Sequence, residues 1–208
     1  MRILITAGPT REHWDAVRFL SSGATGRLGI ELAAAAAQAG HEAVLVLGPT
    51  HLSVPEHARV RVERVVSARD MLAACERAWT NCDALVATAA VADYRPANEH
   101  AGKRTKTDGP LSLELLRNPD ILATLAARKG ARRVLGFALQ VEDARENALR
   151  KLRDKHLDGI VLDSPAAIGA SSADFTLLLP DGNARAFPNT SKADLAAHLI
   201  AFLTALSA

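Results

Sequence analysis

Residues 6–12 (TAGPTRE) combine a glycine, a hydroxyl group and an arginine directly after a short apolar run. Gly8 would let a ligand approach the backbone closely, Thr10 offers a hydroxyl group, and Arg11 can bind a phosphate or carboxylate group through two parallel hydrogen bonds. An ordinary tight turn with a surface arginine explains the same residues. The segment is therefore one candidate for binding anionic groups, with a structural alternative.

A second candidate segment, residues 21–29 (SSGATGRLG), opens an alanine-rich helical pattern. Hydroxyl groups, glycines and free backbone N–H groups at a helix N-terminus form a site for anions. The letters GATGRLG also resemble the nucleotide fingerprint of short-chain reductases, so an NAD(P)-dependent reductase is an alternative function. That fingerprint should follow the first strand directly, whereas about 15 residues separate Gly8 from Gly23. The candidate anion-binding residues of this segment are Ser21, Ser22, Thr25 and Gly26.

Small residues and an aspartate follow a predicted strand in residues 87–96 (ATAAVADYRP). Ala89 and Ala90 would let a flat base or a backbone segment come close, and Asp93 can accept hydrogen bonds from ribose hydroxyls or help to hold Mg²⁺. A strand–loop junction with an exposed aspartate explains the same residues. Phe137, at the end of a later strand, would either stack on a base or fill the core.

Basic residues are concentrated in residues 98–110 (NEHAGKRTKTDGP), where Lys103, Arg104 and Lys106 lie within four positions. This polar, glycine-containing segment predicts a mobile loop or flap, and a solvated surface is the usual alternative for such a charge run. Lys151 and Lys155 lie four residues apart on one predicted helical face, where they would reach either phosphates or only water. No metal-ligand spacing of His, Cys and Asp occurs, so the metal ligands stay unknown.

Strands and helices alternate along the chain and must position these segments. Runs rich in β-branched residues predict strands, and stretches with an apolar helical face predict helices. Because the early strands are continuously apolar, the alternation predicts an α/β fold with a Rossmann-like, doubly wound parallel sheet, whose strand ends gather the candidate segments. An Asp-Gly turn predicts a C-terminal β-hairpin. The predicted strands are 2–6, 42–47, 60–65, 83–88, 133–138, 159–163, 175–179 and 184–187, and the predicted helices are 28–39, 68–79, 119–128, 143–156 and 191–206.

Length and composition restrict the class of protein. The chain has 208 residues, of which 49% are hydrophobic and 23% are charged, which predicts one folded domain over residues 1–208 and excludes disorder as the main state. The formal charge of +2 is too balanced for a general nucleic-acid binder. Two cysteines exclude a disulfide framework, and no apolar run matches a signal peptide or a membrane span. We therefore expect a cytoplasmic protein with no nucleic-acid or membrane partner.

Five segments occur in an order that is typical of one enzyme family. They are ITAGPTREHWDAVRFLS, AAVADYRP, LELLRNPDILATLA after the flap, GFALQVEDARENALRKLRDKHLDGIV and PNTSKADLAAHLI. Together they resemble the phosphopantothenoylcysteine synthetases of coenzyme A biosynthesis, including the synthetase half of the bifunctional bacterial decarboxylase/synthetase. The resemblance extends over essentially the whole chain, and five collinear motifs are much more specific than any one of them.

The resemblance implies a two-step ligation. The carboxylate of 4′-phosphopantothenate attacks the α-phosphorus of CTP, or of ATP in eukaryotic-type members, and pyrophosphate is released. The amine of L-cysteine then attacks the acyl-nucleotide and releases CMP. The family also implies Mg²⁺ to neutralise the triphosphate, and a homodimer in which the partner subunit helps to close the pantothenate site.

The resemblance also assigns roles to individual residues. Lys103 would stabilise charge on the α-phosphoryl group, and Lys106 belongs to the same lysine-rich flap. Ser22 stands where the family has an asparagine that holds the carbonyl of the acyl intermediate. Other departures are Thr105 for the second flap lysine, Asp163-Ser164 in the family's A-N-D motif, and Gln140 after GFA. The other implied contacts are Gly8, Thr10 and loop 21–26 to the phosphates, Ala89 and Ala90 to the base, Asp93 to the ribose and Phe137 nearby.

These departures leave two further functions open besides the reductase. In the first, the chain is a divergent homologue that binds a nucleotide or a phosphopantothenate-like ligand without ligating cysteine. In the second, it is a non-catalytic oligomerisation or regulatory module. Function depends on the site and not on the fold, so the active synthetase needs support from the geometry of the site.

Overall fold

The computed structural model describes residues 1–106, 108–140 and 142–206, which form a layered arrangement of strands and helices. The strands are β1 (Arg2–Ala7), β2 (Glu12–His13), β3 (Phe19–Leu20), β4 (Glu42–Leu47), β5 (Val60–Arg64), β6 (Ala84–Ala87), β7 (Tyr94–Pro96), β8 (Leu115–Arg117), β9 (Arg133–Leu139), β10 (Gly159–Asp163), β11 (Ser172–Leu178) and β12 (Ala184–Ser191). The helices are α1 (Arg27–Gln38), α2 (Ala68–Trp79), α3 (Ile121–Ala126), α4 (Ala144–Asp154) and α5 (Lys192–Ala205), and a 3₁₀ turn spans Pro165–Ala167.

Eight strands form the main sheet, in the order β12-β11-β10-β9-β6-β1-β4-β5. The six strands from β10 to β5 are parallel to one another, whereas β11 and β12 are antiparallel additions at one edge. The parallel part has the doubly wound strand order in which ligands bind beyond the carboxyl ends of the strands. The predicted α/β class, parallel sheet and C-terminal hairpin are therefore confirmed.

Helices cover both faces of the sheet, as the continuously apolar strands require. On one face α1 packs against β1 and β4, and α5 packs against α1 and β12. On the other face α2, α3 and α4 cover β1, β6, β9 and β10. Because the chain has few aromatic residues, its core consists mostly of aliphatic side chains. Ala33 and Ala36 of α1, for example, are buried, which lets this helix approach the sheet closely.

The start of α3 differs from the sequence prediction. An Asn-Pro pair predicts a helix start with Asn118 as the N-cap and Pro119 as the first helical residue. In the structure the N-cap is Asp120, whose side chain accepts a hydrogen bond from the N–H of Ala123 at 2.9 Å. Asn118 makes hydrogen bonds to another loop instead, and these bonds bear on the candidate site.

Two short two-stranded sheets, β2–β3 and β7–β8, lie beside the carboxyl edge of the main sheet. A bridge between Asp15 and His100 joins the loop after β2 to the segment after β7. The segment predicted as a mobile flap, residues 98–110, connects β7 to β8, and residue 107 of it lies outside the described residues. None of the helices in the described part of the chain is long and apolar enough to cross a membrane.

Candidate functional site

A cavity of about 400 Å³ opens at the carboxyl ends of β1, β6, β9 and β10. Its walls come from both faces of the sheet, because the loop before α1 lies on one side and α3 and α4 lie on the other. The cavity therefore occupies the position at which doubly wound folds bind ligands. The structure brings together at this cavity Gly8, Ser22, Thr25, Gly26, Ala89, Ala90, Asp93, Phe137, Lys151 and Lys155 from the sequence-predicted set.

The first turn of α1 forms one wall of the cavity. Its N-cap, Gly26, has a φ angle of 81° and makes no side-chain capping hydrogen bond. The first N–H group of the helix, that of Arg27, donates to the Thr25 hydroxyl oxygen only at the long distance of 3.4 Å, so this helix start is weakly capped. Gly29 allows the helix to lie directly against β1, since a β-carbon there would be 2.2 Å from Cβ of Ala7. This weakly capped N-terminus, with Ser22 and Thr25 beside it, is suited to a phosphate or carboxylate group.

The loop after β6 forms a second wall and is fixed by hydrogen bonds from β1. The N–H of Ala89 donates to the hydroxyl oxygen of Thr6 at 3.3 Å, and the N–H of Ala90 donates to the carbonyl oxygen of Gly8 at 3.0 Å. The small side chains leave this backbone accessible to the cavity. A flat, polar group such as a nucleobase would find a rigid backbone edge at this place.

Three predicted ligands support the loops and do not line the cavity. Thr10 is fully buried; its hydroxyl oxygen accepts from the N–H of Ala92 at 3.0 Å, and its carbonyl oxygen accepts from the hydroxyl of Ser21 at 2.7 Å. The Arg11 guanidinium lies 4.5 Å above the centre of the Phe19 ring. Hydrogen bonds within the loops thus already engage the hydroxyls of Thr10 and Ser21. Direct binding by Arg11 stays a prediction, because stacking on a ring does not use the N–H donors of a guanidinium group.

Asn118 holds the far end of the loop after β6, a role that the sequence analysis missed. Its side-chain N–H donates to the carbonyl oxygen of Ala92 at 2.8 Å, and its backbone N–H donates to the carbonyl oxygen of Asp93 at 2.8 Å. Asp93 is thereby fixed at the cavity wall. The Asn-Pro-Asp sequence suggested only a helix start, so no local signal indicated this long-range role.

Two lysines of α4 form a cationic end of the cavity on the α3–α4 face. The ammonium group of Lys151 donates to the carbonyl oxygen of Phe137 at 2.8 Å. Burial, and then the neighbouring charge of Lys155, lower the pKa of Lys151, while Asp120 and Asp93 act in the opposite direction. Lys155 forms an ion pair with Asp120. An anionic ligand would stabilise the charge of the half-buried Lys151.

A second charged end, on the α1–α5 face, consists of Lys192, Asp163 and Arg27. Lys192 is only 7% exposed, and its ammonium group donates to the carbonyl oxygen of Ala167 at 2.9 Å. Burial lowers the pKa of Lys192 and raises the pKa of Asp163. The sequence analysis missed Lys192, although a lysine at the start of an otherwise apolar helix was a signal for it.

The structure places Lys103 and Lys106 on an exposed loop that does not line the cavity. This loop is bound to the turn after β2: the N–H of Arg104 donates to the Asp15 carboxylate at 3.2 Å, and the Arg18 guanidinium donates to the carbonyl oxygen of Arg104 at 3.0 Å. In the single chain these lysines therefore lie apart from the other predicted ligands, and their role in the site stays a prediction.

The Asp15 carboxylate holds that loop in place. We expect its contribution to the free energy of unfolding to decrease as the pH falls into the acid range. Its side-chain hydrogen bond to Arg18, then the N–H groups of Val17, Arg18 and Arg104, hold its pKa well below the usual 3.8. A carboxyl with a lowered native pKa stabilises the fold above its unfolded pKa, and this contribution is lost as the pH falls. Urea unfolding should therefore show a difference between the parent chain and Asp15→Asn that is largest near neutral pH and shrinks below about pH 4. A difference that stays constant over that range would contradict this role.

The cavity suits a magnesium ion that arrives with a phosphate ligand better than a resident metal. Among the described residues there is no group of three or more His, Cys, Asp or Glu side chains that could hold a metal ion. Asp120 is already paired with Lys155, whereas Asp93 lines the cavity without such an ion pair in the described residues. Because Mg²⁺ on a nucleotide needs only one or two protein carboxylates, Asp93 fits that purpose.

Fold and site together define an open α/β domain with a cavity, lined partly by cationic side chains, at the carboxyl edge of its sheet. The chain matches the family model described as DNA/pantothenate metabolism flavoprotein C-terminal domain over residues 1–206, and it belongs to this family. It is 38% identical to the coenzyme A biosynthesis bifunctional protein CoaBC of Bacillus subtilis, over 99% of this chain and 51% of that protein. The chain thus spans about half the length of the curated relatives it matches.

Solved structures of similar proteins agree with this assignment. The C-terminal domain of a coenzyme A biosynthesis bifunctional protein CoaBC superposes with a TM-score of 0.84 and 36% identity, over 99% of this chain and 95% of that one. A mutant of Cab2 in complex with phosphopantothenate-cysteine has a TM-score of 0.80 but only 13% identity, over 99% and 87% of the two chains, and therefore shows a common fold alone.

Proposed function

We propose that this chain is a phosphopantothenate–cysteine ligase of coenzyme A biosynthesis, and that residues 1–208 act as one nucleotide-binding domain. One observation carries the proposal: a single cavity joins the N-terminus of α1, the backbone edge at Ala89–Ala90 and the half-buried Lys151. This combination fits a triphosphate beside a flat base. The names of the relatives with 36–38% identity support the pathway.

In the first step the cavity would bind a nucleoside triphosphate, CTP rather than ATP, with Mg²⁺ on its phosphates. The N–H groups of α1 and the hydroxyls of Ser22 and Thr25 bind phosphate oxygens, and Lys151 and Lys155 neutralise their charge. The backbone at Ala89–Ala90 faces the base, with Phe137 packed nearby and Asp93 against the ribose. The carboxylate of 4′-phosphopantothenate then forms a bond to the α-phosphorus while the α–β phosphoanhydride bond breaks, so pyrophosphate leaves. Positioning and charge neutralisation supply the catalysis.

In the second step the amine of L-cysteine attacks the acyl carbon of the bound acyl-nucleotide. A C–N bond forms, the nitrogen gives up its proton to solvent, and the bond between the acyl carbon and the phosphate oxygen breaks with release of the nucleoside monophosphate. The Ser22 hydroxyl donates a hydrogen bond to the acyl carbonyl as negative charge develops on that oxygen. Because serine is shorter than the asparagine that the family resemblance implies, the carbonyl must lie closer to the first turn of α1.

Lys103 would stabilise charge on the α-phosphoryl group, with Lys106 in support. Since both lysines lie on a loop bound to Asp15, this role requires that the loop, or the same loop of a second copy, reaches the cavity. A second copy is part of the proposal. The two small sheets expose a group of apolar side chains, the surface on which we propose that a homodimer forms. Its members are Val17, Phe19, Tyr94, Leu115 and Leu116.

Pyrophosphate release tests the proposed activity. We expect release with CTP, Mg²⁺ and 4′-phosphopantothenate together, weaker release when ATP replaces CTP, and none when phosphopantothenate or the nucleotide is omitted. Continued turnover should require L-cysteine. Nucleotide binding without pyrophosphate release would instead identify a divergent homologue without ligase activity. Ser22 and Thr105, which depart from the family pattern, are the residues that would explain such a loss.

A further inference from the structure

Asp163 and Lys192 are side chains of opposite charge at one end of the cavity, and the nucleotide contacts proposed above do not use them. Asp163 is the last residue of β10, and Lys192 is the first residue of α5. Both line the cavity. No ion pair joins the two groups in the part of the chain that the structure describes, although the charge of each acts on the pKa of the other.

Neither charge is fully compensated by the protein. The Lys192 ammonium has three N–H donors, of which one is bonded to the carbonyl oxygen of Ala167 at 2.9 Å, and its side chain is nearly buried. The Asp163 carboxylate accepts the N–H of Ser164 at 2.6 Å. Burying an incompletely paired charge costs free energy, as the pKa shifts of both groups reflect. A ligand that carries both charges would remove both costs.

The charge pattern distinguishes among the ligands of the proposed reaction. The nucleotide and 4′-phosphopantothenate are anions, which Lys192 and Arg27 would attract but Asp163 would repel. The amino acid is a zwitterion, with an ammonium group and a carboxylate only one carbon apart. We propose that Asp163 binds the ammonium group and Lys192 binds the carboxylate of the amino acid co-substrate, an inference that rests on the ligase activity proposed above.

The position of this pair agrees with the second chemical step. The 3₁₀ turn whose carbonyl oxygen holds Lys192 lies beside the loop that carries Ser22, since a β-carbon at Gly23 would be 3.8 Å from the side chain of Ile168. Ser22 is the residue assigned to the acyl carbonyl. An amino acid held between Asp163 and Lys192 would therefore lie beside the loop that is assigned to the acyl carbonyl.

The test separates the two half-reactions. Without cysteine, Asp163→Asn and Lys192→Met should release the same burst of pyrophosphate as the parent chain from CTP and phosphopantothenate. With cysteine, each variant should raise the KM for cysteine on the order of tenfold to a hundredfold, as loss of a charged hydrogen-bond partner does. Asp154→Asn, an exposed aspartate of α4, is the matched control and should leave both measurements unchanged.

An amine without a carboxylate gives a second measurement, whose first comparison uses the parent chain alone. 2-Aminoethanethiol retains the amine and thiol of cysteine, so the parent chain should use it with a much higher KM than cysteine, and Lys192→Met should not raise that KM further. An unchanged KM for cysteine in both variants, a smaller pyrophosphate burst in both, or equal use of the two amines by the parent chain would overturn the inference. Absence of any burst in the parent chain would overturn the ligase proposal itself.

Discussion

Replacing Lys103 with alanine is expected to abolish pyrophosphate release while the chain stays folded. An ammonium group that stabilises charge on the α-phosphoryl group acts only in the transition state, so its loss lowers turnover and not folding. A cation at a transferring phosphoryl group is worth on the order of 10³-fold or more in other enzymes. The side chain is exposed and has no ion pair among the described residues, so the substitution removes no native contact that the structure shows. Single-turnover pyrophosphate release, with thermal unfolding as a check, measures the effect.

The control for this prediction is Arg64→Ala, which removes an exposed cation from the edge strand β5, far from the cavity in the sheet order. It should leave turnover unchanged, which excludes a general effect of net charge on anionic substrates. Near-normal turnover in Lys103→Ala would refute the assigned role. The loop would then be a surface segment that Asp15 holds in place. Lys151 and Lys155 would be the lysines that neutralise the phosphate charge in the cavity.

Gly29→Ala is expected to disrupt both folding stability and nucleotide binding. The added β-carbon would lie 2.2 Å from Cβ of Ala7 and 3.0 Å from the hydroxyl oxygen of Thr88, and Ala7 is fully buried in the centre of the sheet. Because neither neighbour can give way, the first turn of α1 must move outward. Such overpacking costs about 1–3 kcal/mol in the free energy of unfolding. The displaced N–H groups should also weaken CTP binding on the order of tenfold to a hundredfold.

Gly102→Ala is a matched control for this substitution. Its β-carbon would meet only the His100 ring, at 3.6 Å, an ordinary contact. Urea unfolding and calorimetric titration with CTP should therefore show parent-like values for Gly102→Ala and a combined loss for Gly29→Ala. Parent-like CTP affinity in a folded Gly29→Ala chain would mean that the first turn of α1 does not bind the phosphates.

The layers of the fold could be predicted because their signals are local. The apolar run of β1, the helical pattern of α2 and the Asp-Gly turn of the C-terminal hairpin each lie within a dozen residues, and α2 has the predicted bounds 68–79. The parallel order then follows from general rules of handedness and connection. The loop before α1 was recognised for the same reason, since hydroxyls and glycines at a helix start are visible in the sequence.

The parts of the site that could not be predicted depend on contacts between residues far apart in the chain. Thr10 has a hydroxyl group of the kind that binds phosphate. The partner of this hydroxyl in the structure is the N–H of Ala92, 82 positions away. Asn118 and Lys192 likewise bind carbonyl groups of other loops. A residue type shows what a side chain can bind, and only the tertiary structure shows which of its partners is near.

The central claim is that one cavity at the carboxyl edge binds the nucleotide and the acid together. The most direct measurement is a crystal structure of the chain with CTP, Mg²⁺ and 4′-phosphopantothenate. We expect triphosphate density at the first turn of α1, with the base against the backbone at Ala89–Ala90. Nucleotide density elsewhere, for example at the groove around Arg59 and Arg61 at the opposite edge of the sheet, with this cavity empty, would contradict the account.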